Sequence, residues 1–231
     1  DSRQSRGLGD VYKRQVFGGM GNQLFQIFAG ISYSLRERIP FKLVPILVGN
    51  KRPFYFDTLL KSISVFIVND RDKMLINNLP VYRDAEDLEY REIPRSDSNF
   101  RCWGYFQSYK YFENHLDSVM KLTRIGNQRE EIRSKYNYSD FTSLHFRLGD
   151  YKNVQEYHNI LNISYYKNAI KRLVKLQDIT NVLIFGEEGD NGDLQQNLYE
   201  LWEEFPMIKF EMINYKIPDW EQLLIMSTCK N

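Results

Sequence analysis

The strongest constraint on the fold is an alternation of short apolar runs and amphipathic segments along residues 142–226. The apolar runs have the length of buried strands and lie at 142–147, 181–185 and 207–213. The segments that follow them carry apolar residues at three- and four-residue spacing and lie at 164–176, 193–204 and 219–226. Strands that alternate with helices of about 10–15 residues predict a parallel sheet with helices on both faces.

The first half of the chain carries a less regular version of this pattern. The spacing predicts a helix over 22–38, with Asn22 as its N-cap and Pro40 as its stop. Its predicted apolar face consists of Leu24, Phe25, Phe28, Ile31 and Leu35. Further predictions are strands at 41–48 and 64–68, a loop at 84–99 and a largely helical stretch at 113–136.

These patterns predict an α/β protein with two lobes that face each other, at 16–138 and 139–231, the helical stretch acting as a bridge between them. Residues 1–15 are basic and without period, and they leave only Val16 and Phe17 for the strand that should precede the first glycine cluster. We expect residues 1–15 to be a non-native or disordered start. The chain also stops soon after an apolar helical run, so we expect it to be a fragment.

Composition restricts the partners. With 31 basic and 30 acidic side chains the net charge is +1, which gives no electrostatic case for a nucleic-acid partner. The apolar runs are far shorter than the ~20 residues of a membrane helix. The two cysteines, Cys102 and Cys229, lie far apart and are predicted to be reduced thiols.

The first segment with chemical content is the glycine cluster at 18–23 (GGMGNQ). Glycines let the backbone turn sharply and approach a ligand, and the N-terminus of a following helix favours an anion. The pattern is not the dinucleotide fingerprint, because position 24 is Leu24, and no Gly-Lys-Ser/Thr of a Walker phosphate loop follows. A tight turn without a ligand explains the cluster equally well.

The second segment is 145–150 (HFRLGD), at the end of a predicted strand. Strand alternation places His145 and Arg147 on one face and the apolar residues around them on the other. Arg147 then lies at the carboxyl end of its strand, where open α/β sheets bind ligands. Its guanidinium can hold a diphosphate and offset the charge of a leaving group. The competing interpretation is a structural His145 and a rim ion pair between Arg147 and Asp150, worth about 1 kcal/mol or less.

Three further segments are less specific. For the aromatic segment 104–112 (GYFQSYKYF), core packing is the favoured interpretation. For 185–190 (FGEEGD), a solvated turn is favoured over an acidic rim with a catalytic member. The triplet Asp70-Arg71-Asp72 is similar to the metal-binding Asp-x-Asp of another class of sugar-nucleotide transferases, although such a triplet is expected by chance in a chain of this length.

Taken together, the motifs resemble a known family. GGMGNQLFQIFAG at 18–30, GYFQSYKYF at 104–112 and LHFRLGDYK at 144–152 occur in the order typical of the α-1,2-fucosyltransferases of glycosyltransferase family 11. The family patterns run roughly GGLGNQxFQ, GYFQsxxYF and HxRRGDY. The stretches at 164–170 and 219–230 are similar too, so that the resemblance spans about 16–231.

The resemblance implies a GT-B-like fold with two Rossmann-like lobes, of which the second is incomplete here. It implies inverting transfer of L-fucose from GDP-β-L-fucose to the 2-hydroxyl of a galactose-containing glycan, without a metal or any cofactor besides the donor. The first lobe would be the acceptor side and the second the GDP-sugar side. For a bacterial protein, the expected location is the cytoplasm or the periphery of the cytoplasmic membrane. A peripheral membrane association therefore stays open.

The resemblance also suggests roles for individual residues. Arg147 matches the arginine that binds the β-phosphate and His145 the histidine of the same motif; with Asp150 they are the predicted catalytic residues. The predicted donor-binding residues match the glycine turn that faces the cleft and, besides Arg147, are Gly19, Gly21, Asn22 and Gln23. The segment after Phe185 corresponds to a Ser-Asp-Asp-like stretch of the family.

Two departures from the family stand out. Leu148 occupies the position of the family's second arginine, and strand alternation predicts that it faces away from Arg147. The family continues after Cys229-Lys230 with an asparagine-serine-phenylalanine-tryptophan motif of the donor pocket, and the sequence stops before it, so we expect a C-terminal truncation.

Several alternatives stay open from the sequence. The base for the acceptor hydroxyl is Asp150, Glu187 or Glu188, unless the leaving group makes a base unnecessary. The chain is otherwise a fucosyltransferase acting on protein or another glycan, or a GDP- or glycan-binding fragment without turnover. A metal-dependent sugar transferase would use Asp70 and Asp72.

Overall fold

A computed structural model describes residues 12–47, 53–69, 76–85, 89–153, 155–156 and 159–231, without the side chains of residues 12–14 and 150. The chain divides into two compact units, Asp1–Gly126 and Asn127–Asn231. The sequence placed the boundary at residue 138 instead. Residues 1–11 of the predicted non-native start, and the Asp70-Arg71-Asp72 triplet, lie outside the described residues.

The first unit is built on a four-stranded parallel sheet with the order β2-β1-β4-β3. Its strands are β1 Tyr12–Val16, β2 Phe41–Pro45, β3 Val81–Arg83 and β4 Arg101–Trp103. Helix α1, Met20–Glu37, packs against β1 and β2, and helix α2, Leu116–Thr123, packs against α1. Because residues 12–15 pair with β2 and β4, the expectation that only Val16 and Phe17 remain of the first strand is wrong.

The predicted apolar face of α1 and the predicted strand 64–68 are wrong. Of that face, only Ile31 is fully buried, because the helix turns polar residues inward as well, among them Gln26, whose amide hydrogen-bonds the Phe17 backbone. The Phe112 ring covers part of the predicted face, 5.8 Å from Phe25 and 5.4 Å from Phe28. The predicted strand 64–68 is mostly a 3₁₀ turn, Lys61–Phe66, followed by one parallel bridge to β2.

The predicted loop at 84–99 contains neither helix nor strand in its described part, as expected. The predicted helical stretch 113–136 is broken at Arg124. This residue has a left-handed conformation, with a φ of +56°, and it separates α2 from helix α3, Ile125–Lys135. The division of the chain at Gly126 falls close to this break.

The second unit is a three-stranded parallel sheet with the order β5-β6-β7. Its strands are β5 Thr142–His145, β6 Asn181–Phe185 and β7 Lys209–Met212. Its later helices are α4 Ile163–Leu176, α5 Asn191–Glu204 and α6 Asp219–Thr228. Every predicted boundary in this region lies within two residues of the observed one, so the predicted α/β alternation is confirmed.

Helix α3 belongs to the second unit for a physical reason. The Lys135 ammonium lies 2.8 Å from the Glu221 carboxylate on α6, and the Tyr136 hydroxyl donates to the same carboxylate at 2.7 Å. The Arg129 guanidinium donates to the Ser227 carbonyl at 2.9 Å. These bonds tie α3 to α6, which is why the observed division precedes the predicted one.

Cys102 and Cys229 are both free thiols, as predicted. Over the ranges that the structure describes, no helix combines the length and the apolar content needed to cross a membrane.

Candidate functional site

In the second unit, β5 is the edge strand of the described sheet. Strands β6 and β7 lie on one side of it. On its other edge, the Lys230 N–H donates to the Phe141 carbonyl at 2.8 Å and the Ser143 N–H donates to the Asn231 carbonyl at 2.7 Å. Open α/β sheets bind ligands outside the carboxyl ends of their strands, most often at a topological switch point, where the chain adds strands on both sides of one strand. Arg147 lies two residues beyond the carboxyl end of β5.

The predicted alternation of faces around Arg147 is confirmed. Residues 144, 146 and 148 are buried in the core of the unit, whereas His145 and Arg147 are at least partly exposed. The Phe146 ring lies 4.2 Å from the Tyr166 ring, and the Tyr166 hydroxyl donates to the His145 carbonyl at 3.3 Å. Leu148, 6% exposed, belongs to that core and lies on the side of the strand opposite Arg147.

The contacts of Arg147 include one to each of the segments that follow β5 and β6. Its Nη1 lies 3.0 Å from Oε1 of Glu187, which follows β6, and its guanidinium lies 5.0 Å from the centre of the Tyr151 ring. The side chain of Asp150, the alternative partner considered from the sequence, lies outside the described residues. The segment after β5 and the acidic segment after β6 therefore meet through a charged pair.

A second set of charges, which includes one buried carboxylate, reinforces this junction. The Lys152 ammonium lies 2.6 Å from Asp190 and 2.7 Å from Asp193. Asp190 also accepts the Gly149 N–H at 2.6 Å and is only 6% exposed, so a solvated turn is the wrong interpretation for this residue. Lys152 is thus occupied by two carboxylates.

The protonation of Asp190 follows from these contacts. Burial by itself raises the pKa of its carboxyl, but the hydrogen bonds from Lys152 and Gly149 outweigh burial and the pKa is lowered below 3.8. Because the pKa of Asp190 is lower in the folded state than in the unfolded chain, its charged form stabilises the fold at pH values above the ordinary pKa. That stabilisation is lost as the pH falls through the lowered pKa. Asp190 is therefore charged at neutral pH and fixes Lys152 in place.

His145 is expected to be neutral at pH 7. Burial lowers the pKa of its imidazole below 6.5 and the charge of Arg147 lowers it further, whereas Glu187 acts in the opposite direction. Protonation of His145 therefore costs stability as the pH falls below about 6.5. An NMR titration of the His145 ring should give a midpoint below 6.5 that rises in Arg147→Ala and falls in Glu187→Gln. If neither substitution changes the midpoint, this placement of the three side chains is contradicted.

Tyr215, which the sequence did not single out, lies after the carboxyl end of β7. Its hydroxyl is buried and has no hydrogen-bond partner among the described residues. Burial raises the pKa of Tyr215, and the nearby Glu188 and Asp190 raise it further, so the hydroxyl stays protonated. No motif marks this residue; its only signal in the sequence is its position three residues after a strand.

The first unit has a switch point at β1, because β2 lies on one side of it and β4 with β3 on the other. The glycine cluster follows β1 and the 104–112 segment follows β4, so these two motifs meet at the same edge. The Gln107 amide donates to Oδ1 of Asn22 at 2.6 Å. The Phe17 ring stacks on Trp103 at 4.8 Å and lies 5.2 Å from Tyr105.

Two glutamines hold the glycine turn. The Gln23 amide is 0% exposed and donates to the Gly18 and Pro53 carbonyls, both at 2.8 Å. Gln26 accepts the Phe17 N–H at 2.9 Å and donates to the Phe17 carbonyl at 3.1 Å. Gly18 has a φ of +83°, in the left-handed region that favours glycine.

The other residues of the turn are placed differently. Asn22 is not the N-cap, because α1 begins at Met20 and is preceded by Gly19, which makes no side-chain cap. A Cβ atom added at Gly19 or Gly21 would meet no other residue within 4 Å, so a ligand can approach the backbone closely there. Of the predicted donor-binding residues in this unit, Gly19 and Gly21 face open space, whereas Gln23 faces the interior.

Asp84, which the sequence analysis missed, organises the aromatic segment. Its Oδ2 accepts the Phe106 N–H at 2.5 Å and its Oδ1 accepts the Tyr111 hydroxyl at 3.0 Å. These bonds hold Phe106 at a φ of +54°, which is uncommon for a bulky residue, with its ring fully buried. Core packing is therefore confirmed for Phe106, while Tyr105 and Gln107 remain exposed.

Across the described ranges, no group of three or more His, Cys, Asp and Glu side chains is placed to hold a metal ion. The Asp70 and Asp72 carboxylates lie outside those ranges.

No protein-family model and no curated protein matches the chain. Among solved structures, the chain is similar to the fucosyltransferase NodZ from Bradyrhizobium, with 14% identity over 96% of this chain and 82% of that one and a TM-score of 0.49. It is also similar to NodZ alpha-1,6-fucosyltransferase soaked with GDP-fucose, with 13% identity over 95% and 82% and a TM-score of 0.47. At this level of similarity, neither a shared fold nor a shared activity follows from the match.

Proposed function

We propose that the protein is a glycosyltransferase that moves L-fucose from GDP-β-L-fucose to the 2-hydroxyl of a galactoside. The observation that carries the proposal is the position of Arg147. It lies just beyond the carboxyl end of a strand in a parallel sheet, on the face opposite the core, inside the segment that resembles the β-phosphate-binding motif of glycosyltransferase family 11. We assign the GDP-sugar to the second unit and the acceptor to the first, within a GT-B-like arrangement.

In this proposal the 2-hydroxyl oxygen of the acceptor attacks C1 of fucose while the bond from C1 to the β-phosphate oxygen breaks. GDP leaves with that electron pair, and Arg147 offsets the charge that develops on the diphosphate. The acceptor proton passes to a carboxylate or to water. His145 stays neutral beside Arg147, since its pKa is lowered by burial and by the guanidinium charge.

The support comes from the combination of motif and geometry. In the first unit, the glycine turn and the aromatic segment meet at one switch point, and Gly19 and Gly21 leave their backbone open to a ligand. In the second unit, Arg147 meets the segment after β6 at the carboxyl edge of the sheet. A diphosphate suits a guanidinium at this position because two parallel hydrogen bonds can form.

The test is a transfer assay with GDP-fucose and lactose, analysed by mass spectrometry of the products. We expect fucosyl-lactose to form, with the linkage at the 2-hydroxyl of galactose, and EDTA to leave the rate unchanged. Transfer to peptide serine or threonine but not to lactose would replace the acceptor assignment with a protein substrate. Manganese-dependent turnover that is lost in Asp72→Ala would overturn the metal-independent mechanism. If the protein binds GDP but transfers no fucose to any acceptor, it is a nucleotide-binding protein and the proposed transferase activity is wrong.

A further inference from the structure

We propose that Glu187 is an internal counter-ion of Arg147 that the donor diphosphate replaces, and that it thereby limits the affinity of the protein for GDP. This inference rests on the proposed function, because it assumes that a nucleoside diphosphate binds Arg147. It also assigns Glu187 a role other than that of the proton acceptor.

The Arg147–Glu187 ion pair is exposed enough for another anion to replace the carboxylate. The Arg147 and Glu187 side chains are 37% and 51% exposed, so that neither charge is sealed from solvent at their 3.0 Å contact. Pairs with this exposure contribute little to stability, and another anion can displace the carboxylate at small cost. The Tyr151 ring, 5.0 Å from the guanidinium, provides a contact for Arg147 that does not depend on Glu187.

The position of the Glu187 carboxylate depends on Gly149. A Cβ atom at residue 149 would lie 2.6 Å from Oε2 and 2.8 Å from Oε1 of Glu187, so only glycine allows the carboxylate to rest against this backbone. Gly149 therefore gives Glu187 its place beside Arg147. Oε1 of Glu187 thereby occupies a donor of the guanidinium that a phosphate oxygen would also use.

A diphosphate and Glu187 cannot both keep this place, because both are anions and like charges at such distances repel strongly. Lys152 offers Glu187 no alternative, since Asp190 and Asp193 already occupy it at 2.6 and 2.7 Å. GDP binding therefore breaks the Arg147–Glu187 pair, and GDP departure restores it. The carboxylate lowers the affinity for GDP and favours release of the product.

The same placement assigns Glu187 to the donor rather than to the acceptor. In the empty site, the Glu187 carboxylate contacts the guanidinium that we assign to the leaving diphosphate. Glu187 thus acts on the affinity for the donor through Arg147.

The experiment is calorimetric titration of the wild-type protein, Glu187→Gln and Glu187→Ala with GDP, together with transfer kinetics. We expect both variants to bind GDP about 3- to 10-fold more tightly, because the competing charge is gone. GDP should inhibit them more strongly as a product, and kcat should change by less than about tenfold. Glu130→Gln is the matched control, since Glu130 pairs with Arg129 at 3.2 Å outside the site, and its GDP affinity should equal that of the wild type.

The outcomes separate this inference from the proposed function. If the wild-type protein does not bind GDP, the proposed function fails and this inference with it. If the wild type binds GDP and Arg147→Ala does not, but Glu187→Gln binds GDP no more tightly than the wild type, the inference is wrong and the function stands. A loss of about 100-fold or more in kcat at unchanged GDP affinity would instead identify Glu187 as the base and overturn the inference.

Discussion

Replacing Arg147 by alanine is expected to lower fucose transfer by at least about 100-fold and to abolish measurable GDP binding. Removing one preorganised donor to a developing anion costs about 10²–10³ in kcat, and Arg147 supplies a full charge as well. The ion pair with Glu187 is partly exposed, so the substitution should change the free energy of unfolding by no more than about 1 kcal/mol. Loss of function in a stable protein is thus the expected signature.

The measurement combines GDP titration, transfer kinetics and thermal unfolding on the same preparation. Arg147→Lys is an informative intermediate, because lysine retains the charge but not the planar pair of donors, and it should recover only part of the affinity. Arg133→Ala removes an exposed arginine that pairs only weakly with Glu130, at 3.8 Å, and should leave GDP binding unchanged. Full activity of the Arg147→Ala variant would show that the proposed role of Arg147 in the mechanism is wrong.

Gly104→Ala is expected to lower the free energy of unfolding of the first unit by about 3–5 kcal/mol, by combining backbone strain with steric overlap. The φ of Gly104 is +138°, a conformation that residues with a side chain rarely adopt. A Cβ atom at this position would lie 2.2 Å from Cβ of Asp84 and 3.2 Å from its backbone. Relief requires β3 and β4 to separate, or Asp84 to release Phe106 and Tyr111.

The effect should be measured by chemical denaturation, with Gly126→Ala as the matched control. A Cβ atom added at Gly126 would meet no other residue within 4 Å, and Gly126 lies in the first turn of α3. Alanine there should be neutral or stabilise the fold by up to about 1 kcal/mol. Equal stability of Gly104→Ala and the wild type would show that the Asp84 contact is not closed in solution. Because Gln107 reaches Asn22 from this segment, Gly104→Ala should also disturb the glycine turn.

The second unit was largely predictable from its sequence. Its strands are short apolar runs bounded by turns, and its helices carry leucines at helical spacing, of which Leu194, Leu198 and Leu201 are buried as expected. In a regular alternation of this kind, local periodicity and final burial agree, so the pattern predicts the element. Strand alternation likewise predicted that Arg147 and Leu148 lie on opposite faces.

The first unit was less predictable because burial there does not follow one simple period. Helix α1 is covered by the sheet on one side and by Phe112 on another, and it buries Gln23 and Gln26, which a search for apolar positions passes over. Ile63 and Leu60 are fully buried in or next to a 3₁₀ turn, where the sequence shows only a short apolar run. Such runs do not distinguish strand from helix by themselves.

The sequence by itself determined the α/β class, the position of Arg147 at the end of a strand and the side of the strand that its guanidinium occupies. These properties follow from spacing along a few neighbouring residues. Only the tertiary structure decided that Glu187, forty positions away, pairs with Arg147, and that Asp84 holds Phe106. Such pairings depend on the order and register of the strands, which bring the ends of distant segments to one edge of a sheet.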